Sequence, residues 1–110
     1  MSGGRRSVVA FHVYMLECSD GSIYTGHTDN LEARLAAHND GRFRGYTFNR
    51  RPARLIFHQQ FATRDEAFRV EREIKGWSRA KKQALVRSDW GQLQRLSRRR
   101  SPQEPLVEPE

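Results

Sequence analysis

The sequence predicts a small domain of the α+β class, and three observations carry that reading. Two runs rich in aromatic and β-branched residues, 11–18 and 22–27, flank Ser19-Asp20-Gly21, a strong hairpin signal. A third such run, 55–61, follows Pro52. Between and after these runs lie stretches opened by capping residues, with apolar side chains at helical spacing.

In chain order, MSGGRRS at 1–7 reads as a flexible basic lead. Residues 8–97 read as one domain. The tail at 98–110 ends in SPQEPLVEPE, proline-rich and acidic, a composition that favours disorder.

Register decides what the hairpin can hold, because a slip of one residue turns every side chain to the other face. A two-residue turn at Asp20-Gly21 would send Tyr14 and Tyr24 to opposite faces. A three-residue loop with Gly21 in the left-handed region would pair Leu16 with Tyr24 and Tyr14 with Gly26. The tyrosines would then be diagonal neighbours about 7–8 Å apart, with a gap over Gly26.

Asp29 and Asn30 offer an N-cap to a helix that Gly41 ends. Its Leu31, Arg34, Leu35 and His38 share one face, so Arg34 and His38 sit beside the side that packs on the hairpin. The plainer alternative has both at the helix edge, reaching out to water. Segment 39–54 carries Arg42, Arg44, Arg50, Arg51 and Arg54 against Asp40, with Phe43, Tyr46 and Phe48 interleaved. Cations that meet phosphates and rings that stack on bases suit nucleic acid; a connecting loop whose aromatics cap the core is the alternative.

The Thr63-Arg64-Asp65-Glu66 box opens a second helix and Gly76 closes it. Ala67, Val70, Ile74 and Trp77 form its apolar face, and Glu71 projects into that face. A carboxylate there needs a cation, a donor or a metal; the structural alternative is an ion pair with an arginine. Ser78 caps a third helix at 79–87 in which Ala80, Ala84 and Leu85 pack while Lys81 and Lys82 stay exposed. Asp89 caps a last helix carrying Trp90, Leu93 and Leu96.

The 110 residues carry a formal charge of +7 and a pI near 10.5, a balance that favours a polyanionic partner. The bias toward arginine favours phosphate through bidentate forks. Cys18 is the only cysteine, which rules out an internal disulfide, and no cysteine and histidine pattern matches structural zinc. No stretch approaches the roughly 20 apolar residues of a membrane span. The chain is expected to be soluble and cytoplasmic, without a membrane partner.

His12-Val13-Tyr14, Tyr24-Thr25-Gly26, Arg34, His38 and Glu71, in that order, together resemble the GIY-YIG nuclease family. The run Glu71-Arg72-Glu73-Ile74-Lys75-Gly76-Trp77 resembles its small stand-alone bacterial members. The resemblance implies a three-stranded antiparallel sheet flanked by helices. It also implies an endonuclease that hydrolyses phosphodiester bonds with one divalent metal, Mg²⁺ or Mn²⁺. By position it makes Glu71 the metal ligand and Arg34 the cation at the scissile phosphate. Tyr14 and Tyr24 would line the attacking water, and His38 would lie near the phosphate. His27 falls where a repair-nuclease relative has a lysine that helps activate the tyrosine.

Two departures stand out: His12 and Val13 replace Gly and Ile, and no asparagine follows Glu71. Lys81, Lys82 and Gln83 are the candidates for that missing phosphate contact. The chemistry is coherent, since hydrolysis needs a metal, a cation for developing charge and a base for water. A free phenol with a pKa near 10 is a weak base at neutral pH, so His27 or the metal would have to assist, and which tyrosine acts stays open. The expected substrate is DNA rather than RNA, with branched, damaged or single-stranded sites as the candidates. A non-catalytic nucleic-acid-binding module and a domain that works only with a protein partner are the alternatives.

Overall fold

Residues 10–100 are described by the computed structural model. The predicted lead at 1–7 and residues 101–110 of the tail predicted at 98–110 lie outside them, while 98–100 belong to the last helix. In chain order come β1 (Phe11–Glu17), β2 (Ile23–Thr28), α1 (Leu31–Asn39) and a short 3₁₀ turn (Phe48–Arg50). β3 (Arg54–Phe61), α2 (Arg64–Lys75), α3 (Arg79–Val86) and α4 (Trp90–Arg100) follow. The elements fall into two compact units that divide between Lys75 and Gly76.

The first unit is built on an antiparallel sheet of order β2-β1-β3, the three-stranded sheet with helices that the sequence implies. The hairpin closes in three residues. The Gly21 N–H donates to the Cys18 carbonyl at 2.9 Å, and Gly21 takes a φ of +84°, which costs glycine nothing. Asp20 holds the turn, its carboxylate accepting from the Ser22 N–H at 3.0 Å and the Ser22 hydroxyl at 2.6 Å. The resulting register pairs Leu16 with Tyr24 and Tyr14 with Gly26. The gap expected over Gly26 is filled by the Tyr14 ring itself: a Cβ on Gly26 would lie 2.6 Å from its Oη and 2.8 Å from its Cζ.

As the central strand, β1 is buried on both faces, with Val13, Tyr14, Met15 and Leu16 all nearly inaccessible. Alternation sends Tyr14 and Leu16 to one side and Val13 and Met15 to the other. On the first side the partly buried Leu31 and Leu35 of α1 pack against Tyr14, Leu16, Cys18 and Ala53, each adding less than the roughly 1.5–3 kcal/mol of a fully buried leucine. Across the sheet, α2 touches all three strands and buries Ala67 and Ile74. A register shift against β3 between Met15 and Leu16 leaves Ile56 without an opposite number.

Capping fixes where the helices begin and end. Asn30 Oδ1 accepts from the Ala33 N–H at 3.1 Å, and the end of α1 closes with Gly41 N–H on the His38 carbonyl and Arg42 N–H on Ala37. Gly41 has the positive φ, +77°, that this closure requires. Asn39 then clamps the helix end to the start of β3, exchanging two hydrogen bonds with Ala53. Thr63 Oγ1 accepts from the Glu66 N–H at 3.2 Å to open α2.

In the second unit α3 packs on α4, and Ser78 and Asp89 cap the two helices as their side chains predict. The buried face of α3 is Lys81, Ala84 and Leu85, one position round from the expected stripe, so Ala80 is exposed. Lys81 is therefore buried, contrary to expectation, with its ammonium 4.3 Å from the centre of the Trp77 ring, which replaces part of its hydration. Lys82 is half-buried rather than exposed.

The contact over Gly26 sets an expectation for stability. Gly26→Ala forces the buried Tyr14 phenol to move and should lower urea-unfolding stability by about 1–3 kcal/mol. Gly45→Ala adds a Cβ into open space and should stay within about 0.5 kcal/mol of wild type.

Candidate active site

The hairpin register places the Tyr14 and Tyr24 rings on one face, with centres 6.2 Å apart and planes at 45°. One turn beyond Leu35, His38 turns inward to meet them. Its ring lies edge-on to Tyr24 at 5.1 Å, and its Nε2 is 3.0 Å from Tyr14 Oη. Its Nδ1 is 2.8 Å from Thr47 Oγ1. His38 is 3% exposed, so it is a packed group and not one that reaches for water. Arg34, one turn earlier and half-buried, lays its guanidinium over Phe43 at 4.9 Å.

Burial, helped by the Arg34 charge, holds the His38 pKa below its usual value and favours the neutral imidazole. Burial, with Tyr24 alongside, pushes the Tyr14 phenol well above the usual tyrosine value, so it keeps its proton.

Tyr24, Arg34 and His38 form one wall of a half-open cleft of about 350 Å³, and the segment 42–47 forms the other. The arginines of the stretch 42–51 divide into two kinds. Arg50 donates to Asp20 at 2.9 Å and to the Tyr46 carbonyl at 2.8 Å while stacking on the Tyr46 ring. Arg51 donates to the Phe48 carbonyl and stacks on the Phe48 ring. Both therefore build the loop. Arg42 and Arg44 are exposed at the cleft; Arg42 makes an exposed ion pair with Asp40 at 3.5 Å, worth little in water, and Arg44 lies over Phe48. Tyr46, 42% exposed, stacks on Tyr24 with ring centres 5.9 Å apart. The segment thus combines a structural loop with a cationic, aromatic surface.

Glu71 lies one turn after Ala67 on the packed face of α2 and is 6% exposed. Its Oε1 is 2.5 Å from His27 Nδ1 and its Oε2 is 2.7 Å from Lys75 Nζ. The partners of this buried carboxylate are a histidine and a lysine, not the arginine of the structural alternative. His27 points to the other side of β2 from Tyr24, so its contacts are with Glu71 and the edge of Phe68. Lys75 links the two halves of the site, since its ammonium is also 5.9 Å from the Tyr24 ring centre. Sequence reasoning missed Lys75, although a glutamate four residues before a lysine on a helix was the available signal. It also missed Thr47, which no local rule singles out.

No group of three or more His, Cys, Asp or Glu side chains that could hold a metal occurs among the described residues. That excludes a closed zinc-type cage there. A lone carboxylate whose oxygen already faces an ammonium does fit a hard cation of the Mg²⁺ or Mn²⁺ kind. Such ions take one or two carboxylates and complete their shells with water and phosphate.

Residues 10–84 match the family model described as the GIY-YIG catalytic domain. A UPF0213 protein of Staphylococcus haemolyticus is 45% identical over 75 residues, covering 68% of this chain and 92% of the relative. A UPF0213 protein of Bacillus pumilus is 44% identical over 75 residues, covering 68% and 76%. Among solved structures, the solution structure of an E. faecalis protein is similar at 37% identity and a TM-score of 0.52, covering 72% of this chain and 84% of that one. By its sheet, its ordered motif residues and these matches, the chain belongs to the GIY-YIG catalytic domain family.

Proposed function

We propose that the chain is a divalent-metal-dependent endonuclease that hydrolyses phosphodiester bonds in DNA. The observation that carries this reading is the cleft, where Tyr24, Arg34 and His38 face Arg42 and Arg44 across a space open to a phosphate backbone. Arg42 and Arg44 would hold flanking phosphates, and Arg34 would balance the charge that grows on the scissile one. Of the two tyrosines, Tyr24 lines the cleft while Tyr14 is 1% exposed, which supports Tyr24 as the group that takes the proton of an attacking water. Glu71 would hold Mg²⁺ or Mn²⁺, which supplies polarisation of the phosphate and acidification of water. His27 orients that carboxylate, and the half-exposed Lys75 has the flexible stem needed to yield its oxygen to a stronger cation.

One observation favours a second reading. Both Glu71 oxygens are satisfied by protein side chains, as they would be in a nucleic-acid-binding module where Glu71 serves only the fold.

Cleavage of a labelled panel of single-stranded, duplex, flap and junction DNA and of RNA, with Mg²⁺ or Mn²⁺, separates the two readings. The nuclease reading expects cutting by wild type, none after chelation of the metal, and none by Glu71→Gln, with DNA affinity within about twofold of wild type. Salt-dependent binding without product from wild type would leave the binding module.

Arg42→Ala and Arg44→Ala should each weaken binding about equally across sequences. Each should also reduce the slope of log affinity against log salt by about 1, as read by fluorescence anisotropy.

A further inference from the structure

Thr47 is 1% exposed, and among the described residues its hydroxyl has one partner, Nδ1 of His38 at 2.8 Å. A buried hydroxyl that makes a single hydrogen bond does best by donating its proton, because an orphaned donor is costlier than an unused lone pair. The neutral imidazole carries one ring proton, so the direction of the bond at Nδ1 fixes the direction at Nε2.

We infer that Thr47 is a positioning residue that sets a one-way chain of donors through the site. The Thr47 O–H donates to His38 Nδ1, His38 Nε2–H donates to Tyr14 Oη, and Tyr14 turns its own O–H to Tyr24. Tyr24, the cleft-lining ring, stands next in line, its ring centre 6.2 Å from that of Tyr14 on the same face of the hairpin. The three inner members are each at most 3% exposed, so water does not compete for their hydrogen bonds. With its donor aimed at Tyr24, Tyr14 would stabilise negative charge on the Tyr24 oxygen and would itself transfer no proton. The backbone supports this placement: Thr47 precedes the 3₁₀ turn and accepts from the Arg50 N–H at 3.0 Å, while the Arg50 carbonyl accepts from the Ser19 N–H at 2.8 Å.

The part that concerns rate rests on the nuclease reading above; the part that concerns the histidine does not. The test is the ¹⁵N spectrum of the histidine rings in the full chain at neutral pH, without substrate or metal, for wild type, Thr47→Ser and Thr47→Val. The expected result is His38 protonated at Nε2 and bare at Nδ1 in wild type and Thr47→Ser. In Thr47→Val, a population protonated at Nδ1 should appear. Cleavage by Thr47→Val should fall about tenfold in kcat with KM little changed, and Thr47→Ser should restore it. A wild-type His38 carrying its proton on Nδ1 overturns the inference, and so does a Thr47→Val chain with the wild-type tautomer. The wild-type spectrum decides the direction of the chain even if Thr47→Val does not fold or the protein cuts no substrate.

Discussion

The arrangement depends first on how the β1–β2 hairpin closes. A three-residue turn is open to this backbone because Gly21 accepts a positive φ, and that turn fixes which residue faces which along both strands. With one residue fewer in the turn, Tyr14 and Tyr24 would part to opposite faces and His38 would have no pair to close over. Gly26 completes the arrangement from the other strand, since only a residue without a Cβ leaves room for the Tyr14 ring. Two glycines of different use, one for its backbone freedom and one for its absence of bulk, therefore determine where the phenols lie.

A second constraint is the cost of keeping charge and polarity in the interior. Glu71 is tolerated there because each oxygen has a partner, and the partners come from different places, His27 across the packing and Lys75 one helical turn on. Tyr14 and His38 are tolerated because each satisfies the other and Thr47 satisfies the remaining ring nitrogen. Glu71, His27 and Lys75 thus form one small set and Tyr14, His38 and Thr47 another, and the Lys75 ammonium, close to both Glu71 and the Tyr24 ring, is what brings the sets into one site.

What the sequence made legible follows the range of the interactions involved. The hairpin itself, the Asn30, Thr63, Ser78 and Asp89 caps, the Gly41 ending and the inward face of Glu71 are set by residues within a turn or two of one another, and local rules reach them, whereas the register stayed open between two turn lengths until the fold chose the longer. The partners of Glu71 lie 44 residues away at His27 and at a lysine with nothing to distinguish it from other helix lysines, so the carboxylate was visible and its company was not. Thr47 is an ordinary loop residue until the loop folds back on α1. Lys81 was misjudged because a lysine carries both a charge that suggests exposure and a long apolar stem that packing can claim. The loop arginines were legible as a group, while their division between structure and surface depends on a turn geometry that charge counting does not contain.

The bond from Arg50 to Asp20 gives the ionic medium a second point of action. Arg50 fastens the far wall of the cleft to the tip of the hairpin through one exposed ion pair with Asp20 and one uncharged hydrogen bond, from the Ser19 N–H to the Arg50 carbonyl. Added salt screens exposed charges, so it weakens the hold of the cleft on a polyanion and, at the same time, slackens one strand of the rope that keeps the wall in place. The uncharged bond remains, which makes the second effect the smaller. Even so, in this chain ionic strength acts on how tightly a strand is held and also on how firmly the groups meeting it are braced.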